Sequence, residues 1–225
     1  MRIVAVADTH LFHEAGYAVP AGDVFVHAGD LCRRGDLDEL AVAARWIAGL
    51  PHRHKVVVAG NHDWAFARPD QAAAARRLLG AAAYLEDDGV VIDGVRFWGS
   101  PWQPEFHGWA FNLPRGAPLA AVWARIPAGV DVLITHGPPR GIGDHAGWDD
   151  ARRAGCEALR ARVAEVAPRL HLFGHIHQDG GVWRDGATVF ANVTSWECTR
   201  GPTVIDVDGA AITPVQVPPA RPAGA

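Results

Sequence analysis

Cysteine is scarce and scattered. Cys32, Cys156 and Cys198 lie far apart and form no C-x-x-C pair, which argues against a disulfide framework or a thiolate zinc site and makes a reducing compartment the expectation. Positive charge is not in excess: 21 Lys and Arg stand against 25 Asp and Glu, a formal net charge of −4. No Lys/Arg stripe runs along the chain, so a domain that grips nucleic acid by bulk electrostatics is not the expectation, although a small nucleotide held locally remains open. Long hydrophobic runs are missing too. No segment approaches the roughly 20 residues that span a bilayer, and the apolar stretch 1–7 meets Asp8 too early for a signal peptide. A cytoplasmic protein without a membrane partner is expected. With no internal repeat and no dividing linker, the 225 residues should form one domain over 1–213, followed by a Pro- and Ala-rich tail at 214–225.

What is present is a series of short apolar runs, at 3–7, 24–27, 55–59, 95–98, 130–135, 170–173, 188–191 and 203–207. Rich in Val and Ile and bounded by Gly, Asp or Asn, they read as buried strands. Between them lie segments suited to helices. Residues 36–50 have Asp36 as N-cap and Pro51 as a stop, 69–79 end at Gly80, and 149–167 end before Pro168. Strands alternating with helices predict a layered α/β domain. Asp-Gly pairs at 88–89, 93–94, 185–186 and 208–209 predict hairpins, so the later part should be partly antiparallel.

Five motifs follow these runs in order: Asp8-Thr9-His10, Gly29-Asp30, Gly60-Asn61-His62-Asp63, Thr135-His136-Gly137 and Gly174-His175-Ile176-His177. Taken singly, each has an ordinary reading. Asp after a strand often caps a helix, and Asn beside Gly often marks a turn. Taken together they place carboxylates, an amide and imidazoles at five strand ends, where layered α/β folds gather their ligands. Mixed oxygen and nitrogen donors suit Mn²⁺, Fe or Zn²⁺ better than Mg²⁺ or Ca²⁺. Two such ions side by side are an apparatus for hydrolysing phosphate esters. Of the remaining histidines, His27 and His171 fall within strands and read as core residues, whereas His52 and His54 read as exposed.

The ordered motifs resemble the signature of the calcineurin-like metallophosphoesterases: D-x-H, G-D, G-N-H-[ED], a histidine motif and G-H-x-H. The likeness runs over residues 2–207. Gly99-Ser100-Pro101-Trp102, the stretch from Gly108 to Gly116, Thr135-His136-Gly137-Pro138-Pro139 and Gly155-Cys156-Glu157 are similar to a metallophosphoesterase-domain-containing subgroup first noted in animal brain. The resemblance implies a four-layer αββα sandwich, two mixed β-sheets flanked by helices. It also implies two divalent metal ions. Asp8, His10 and His177 would hold one, Asn61, His136 and His175 the other, with Asp30 bridging and His62 a non-ligating histidine near the leaving group. Some animal members carry glycine where His175 stands, and the histidine here implies a complete second site.

The implied activity is that of a metal-dependent phosphodiesterase on small organic diesters, with cyclic nucleotides favoured through the subgroup. A water between the metals would attack phosphorus while His62 protonates the departing oxygen. Asp63 would orient His62 or hold its loop. Arg34 matches the arginine of a related G-D-x-x-x-R-G pattern and would clamp phosphate. Trp102, Phe106, His107, Trp109 and Phe111 crowd one loop, where rings stack a nucleobase, pack the loop onto the sheet or form a homodimer contact. Asn112 would read a base edge or cap a turn. Asp144 and His145, in a loose echo of a relative's motif, are further candidates for ligand contact. The alternatives are a nuclease, a phosphomonoesterase, or a nucleotide-binding regulator without turnover.

Overall fold

Alternating apolar residues let the early strands bury both faces. In β1 (Arg2–Val6), Ile3 and Ala5 face one way and Val4 and Val6 the other, and all four are fully buried. A computed structural model describes residues 1–80, 82–147 and 153–220. In it β1 lies parallel to β2 (Val24–Ala28), β2 to β3 (His54–Val58), and β3 to the short β4 (Ala83–Tyr84). A second sheet is built from β5 (Asp88–Ile92), β6 (Val95–Ser100), β9 (Val132–Thr135), β10 (Leu170–Phe173), β11 (Gly181–Asp185) and β12 (Thr188–Asn192), in the order β11-β12-β10-β9-β6-β5. Its four central strands are parallel, with antiparallel hairpins at either edge. Between β6 and β9, the two-residue strands β7 (Gln103–Pro104) and β8 (Asn112–Leu113) pair with each other. The last hairpin, β13 (Thr203–Asp208) and β14 (Ala211–Gln216), returns to the first sheet and gives it the order β14-β13-β1-β2-β3-β4.

The sheets pack face to face. Ile3, Val26, Val56 and Val58 of the first meet Phe97, Ile134, Leu172 and Val189 of the second, and each such side chain contributes roughly 1.5–3 kcal/mol by leaving water. On the outer face of the first sheet, Phe25 and Val57 receive Leu40, Ala43 and Ile47 of α1 (Leu37–Gly49), Phe66 of α2 (Trp64–Ala67) and Ala75 of α3 (Ala72–Leu78). Beyond the second sheet, Leu133, Phe173 and Phe190 receive Leu119 and Trp123 of α4 (Ala117–Trp123) and Leu159 and Val163 of α5 (Glu157–Val166). Two mixed sheets between helical layers make the αββα sandwich that the sequence implies.

Several boundaries differ from the sequence reading, each for a local reason. The helix expected over 69–79 is shorter, Ala72–Leu78, and a separate helical turn, Trp64–Ala67, stops before Pro69, which holds Arg68 extended at φ −84°, ψ 119°. The helix expected from Asp149 starts at Glu157, where the Cys156 sulfur caps the Leu159 amide at 3.4 Å; residues 149–152 lie outside the described ones. β14 carries Pro214 and runs to Gln216, past the boundary set by composition. It is an edge strand, where a proline is tolerated because no neighbour needs its N–H. His52 is buried beside Phe25 rather than exposed.

Parallel strands put all five motifs at one end. β1, β2 and β3 finish just before Asp8, Asp30 and Asn61, and β9 and β10 just before His136 and His175. The two sheets are stitched together there: Ala7 N–H donates to Val193 O at 3.0 Å, and Ser195 N–H to Ala7 O at 2.8 Å.

Candidate metal centre

Asp8, His10, Asp30 and His175 share an unusual backbone, with φ of +55°, +44°, +58° and +69°. Left-handed conformations cost a non-glycine residue about 1–2 kcal/mol each, and such strain collects where side chains must be aimed at one point. Two glycines make the close approach possible. A Cβ on Gly60 would lie 2.2 Å from Asp30 Oδ1, and one on Gly174 would lie 2.7 Å from Asp8 Oδ2.

Among the described residues, three sets of donor atoms fall within 4.8 Å of one another: Asp8/His10/His177, Asp30/His136/His175 and His10/Asp30/His62. Asp30 sits at the middle, with Oδ2 at 3.6 Å from His10 Nε2 and Oδ1 at 3.5 Å from His136 Nε2. Asn61 Oδ1 lies 3.0 Å from the same His136 nitrogen, and Asp8 Oδ1 lies 3.6 Å from His177 Nε2. The imidazoles are oriented from behind. His10 Nδ1 donates to Cys32 O at 2.9 Å, His136 Nδ1 to Ala28 O at 2.9 Å, and His62 Nδ1 to Arg33 O at 2.6 Å. A carbonyl on Nδ1 fixes the tautomer and leaves Nε2 to face the cluster, as in metal-ligating histidines. The donor set therefore fits divalent cations.

Charge within the cluster is balanced across it. Burial opposes ionisation of Asp8 and Asp30, yet His177 and His136, respectively, outweigh it and hold both carboxyls well below the usual range. Burial likewise works against the charged form of His136, but contact with Asp30 lifts it to about 9. His177 is raised against burial by Asp8, whereas burial with the neighbouring His136 charge pushes His175 down to about 4.

The strand histidines brace this frame. Gly29 N–H donates to His27 Nδ1 at 3.3 Å, so Nε2–H of His27 donates to Thr9 Oγ1 at 2.9 Å. In the other sheet Thr135 Oγ1 donates to Gly137 O at 2.7 Å and accepts from His171 Nε2 at 2.8 Å. Burial holds both rings neutral, near a pKa of about 3.

The profile of calcineurin-like phosphoesterases matches residues 1–179. The chain belongs to that family. Metallophosphoesterase domain-containing protein 1 of Homo sapiens is 39% identical over 234 residues, covering 92% of this chain and 71% of that protein. A UPF0046 protein of Caenorhabditis elegans is 37% identical over 209 residues, covering 85% and 74%. Among solved structures, TT1561 of Thermus thermophilus superposes with a TM-score of 0.61 at 14% identity over 98% of this chain and 99% of that one. The phosphopantetheinyl hydrolase of Mycobacterium tuberculosis gives 0.61 at 15% identity over 97% of each chain. These two likenesses concern the fold. Family membership and the His/Asp clusters together make this a metal-dependent phosphoesterase.

Around this phosphoesterase centre opens a cleft of about 540 Å³, lined by His10, Asp30, Asn61, His62, His175 and His177 below and by Phe106, His107, Trp109 and Arg115 above. Other residues singled out in the sequence are turned to different work. Arg34 points to solvent with 80% of its side chain exposed and pairs with Glu39 at 3.2 Å, away from the cleft. Asp63 is buried and accepts from the amides of Leu31, Cys32 and Gly60 at 3.2, 3.0 and 2.8 Å, so it holds the loops rather than touching the cleft. Burial, with Asp30 second, pushes its carboxyl up to about 6. Trp102 donates to Asp87 at 3.0 Å and packs its edge on Phe111. Asn112 Nδ2 donates to Phe106 O at 2.9 Å and its Oδ1 accepts from Gln103 at 2.8 Å, tying the loop where a base-reading role was expected. Asp144 is fully buried and accepts from Gly141, Gly155 and Arg153, a staple within its loop.

Glu39 is the functional residue that sequence reasoning missed. Its carboxylate accepts from the amides of Arg33, Arg34 and Gly35 at 3.0, 2.7 and 3.1 Å, which fixes the Arg33 carbonyl that holds His62. The signal was available: Asp36 and Glu39 have capping-box spacing, and Asp36 Oδ1 accepts from the Glu39 amide at 2.9 Å.

Proposed function

We propose that the chain is a metal-dependent phosphodiesterase acting on small organic phosphodiesters, with cyclic nucleotides the favoured class. One observation carries this reading: two donor groups meet on the single carboxylate of Asp30, and His62 stands beside them at the cleft floor, its ring 4.6 Å from that of His10. Asp8, His10 and His177 would hold one cation and Asn61, His136 and His175 the other, with Asp30 between. Manganese suits the mixed donors, with iron or zinc next. Bound there, two divalent ions supply positive charge to the phosphoryl oxygens and bring the ionisation of water toward neutrality.

His62 does its part through its orientation. With Nδ1–H on the Arg33 carbonyl, the proton available to substrate is the one on Nε2. As the bond from phosphorus to the leaving oxygen breaks, the electron pair stays on that oxygen and the Nε2 proton neutralises it. The ring ends neutral, still donating through Nδ1. The substrate class is supported by cleft size, which suits a nucleotide, and by the exposed Phe106 beside His107 at the rim, rings on which a base can stack. The free thiols of Cys32, Cys156 and Cys198 accord with a reducing, cytoplasmic setting. Among the described residues no helix is long and apolar enough to cross a membrane.

The test is hydrolysis of bis(p-nitrophenyl) phosphate and of 2′,3′- and 3′,5′-cyclic nucleotides by metal-stripped protein with and without Mn²⁺. His62→Ala should keep both ions and lose about 10²–10³-fold on the cyclic nucleotides, the usual scale for a lost proton donor. Loss of an ion in that variant would instead make His62 a ligand, which its distance from His10 and Asp30 allows. Full metal uptake without turnover of any ester would point to a nucleotide-binding regulator.

A further inference from the structure

Trp109 belongs to the aromatic loop in which a nucleobase platform was expected, yet its indole is spent on the protein. Its ring lies 4.1 Å from that of His62, tilted at an interplanar angle of 31°. His62 is half-buried at the cleft floor, and its contacts come from three sides: the Arg33 carbonyl at 2.6 Å on Nδ1, the edge of His10 at 80°, and the indole. A single hydrogen bond leaves an imidazole free to rock about that contact. A ring laid against its face removes this freedom.

Trp109 is itself fixed relative to His62. The Ala110 amide donates to Asn61 O at 3.1 Å, joining the residue after the tryptophan to the residue before the histidine. Gln103 Nε2 donates to Ala110 O at 2.8 Å, and Asn112 closes the loop onto the Phe106 carbonyl. Loop and histidine therefore form one frame.

We propose that Trp109 is a positioning residue that holds the His62 imidazole with Nε2 aimed at the leaving oxygen, rather than a platform for a nucleobase. The proposal rests on the reading of His62 as proton donor, and the experiment separates the two. Methyl p-nitrophenyl phosphate and methyl phenyl phosphate differ in how much their leaving groups need a proton, and 2′,3′-cyclic AMP adds an alkoxide leaving group. His62→Ala should lose little on the nitrophenyl ester and much on the other two. Trp109→Ala should follow the same pattern in kcat, about 30-fold on the poor leaving groups and under about 3-fold on the good one, because misplacing a catalytic group costs up to about 10²-fold. Adding it to His62→Ala should cost nothing further, and Trp109→Phe should restore kcat to within about 3-fold by keeping a ring on the imidazole.

A loss in Trp109→Ala that is uniform across leaving groups, or a rise in KM confined to the nucleotide, would overturn the proposal. If His62→Ala fails to discriminate between leaving groups, the proton-donor reading fails and the proposal falls with it. Long-range ¹H–¹⁵N spectra of the metal-free protein give a readout that needs no turnover. His62 should show a single Nδ1–H pattern that becomes averaged in Trp109→Ala and returns in Trp109→Phe; a pattern unchanged in the alanine variant contradicts the proposal.

Discussion

The donor groups on the two sides of Asp30 are built differently. The inner one is walled in. His136 has no exposed side-chain surface, both its ring nitrogens are engaged, and it reaches Asp30 from the second sheet while its Nδ1 is held by Ala28 of the first. The outer one is open. His177 keeps 22% of its side chain exposed in a single 3-10 turn, and among the described residues its ring pairs with the carboxylate of Asp8 at 3.6 Å. The contrast teaches that one half of the centre is part of the core that joins the sheets, while the other half lies at the rim. Removing a partner from a buried charged pair costs about 3–5 kcal/mol, whereas a more exposed pair contributes far less.

Asp30→Ala erases the distinction and should have the largest effect. Both ions go, and with them several kcal/mol of charge stabilisation, on the order of 10³-fold or more in turnover; metal analysis of the purified variant checks this. The next contrast sets His136→Ala against His177→Ala. The first should lower the stability of the metal-free protein by about 3 kcal/mol, since it leaves Asp30 buried without its main partner. The second should cost less, because water reaches the His177 side of its pair with the buried Asp8 and two contacts from the His175 amide to that carboxylate remain, and it should lose one ion. Thermal melts in chelator compare them directly.

Acid should weaken metal binding at both halves, in the following direction. His136, lifted to about 9 by Asp30, carries a proton at neutral pH in the metal-free protein, and Asp8 raises His177 in the same direction. Ligands must shed protons to bind, so metal uptake releases them. Affinity should climb as pH rises through neutrality and level off above about 9. Titration calorimetry in buffers of different ionisation heat measures the protons released; none released at pH 7 would contradict the charge assignment. The smallest effect is expected from Arg34→Ala, under about 2-fold in kcat/KM, because that side chain faces water. Glu39→Ala, one link away, should reduce kcat more by releasing the Arg33 carbonyl from its place against His62.

Much of this centre was legible in the chain because its donors follow short continuous apolar runs and sit beside glycines. Asp8, Asp30, Asn61, His136 and His175 stand at strand ends, and parallel strands bring such ends to one place. The two-sheet sandwich was less directly legible, since hydrophobic alternation places a strand in a sheet without saying which sheet. Helix α4 was missed altogether: it is seven residues long, and Gly116, its N-cap, has no side chain with which to announce it. Arg34 was misread because its spacing in sequence suggested the cleft, and the choice between base contact and loop packing stayed open for Trp102 and Asn112, because the partners Glu39, Asp87 and Gln103 are known only once the loops have folded. Trp109 illustrates the same limit. Composition offered an aromatic loop, and only the tertiary path shows which ring the indole meets.

The central claim is a two-ion centre with a core-bound inner half and a rim-bound outer half. Its most direct test is native mass spectrometry of metal-stripped protein titrated with Mn²⁺, run on the parent and on His177→Ala. The account predicts two ions in the parent and one, held by the inner group, in the variant. A parent that takes only one ion, or a variant that still takes two, would contradict it.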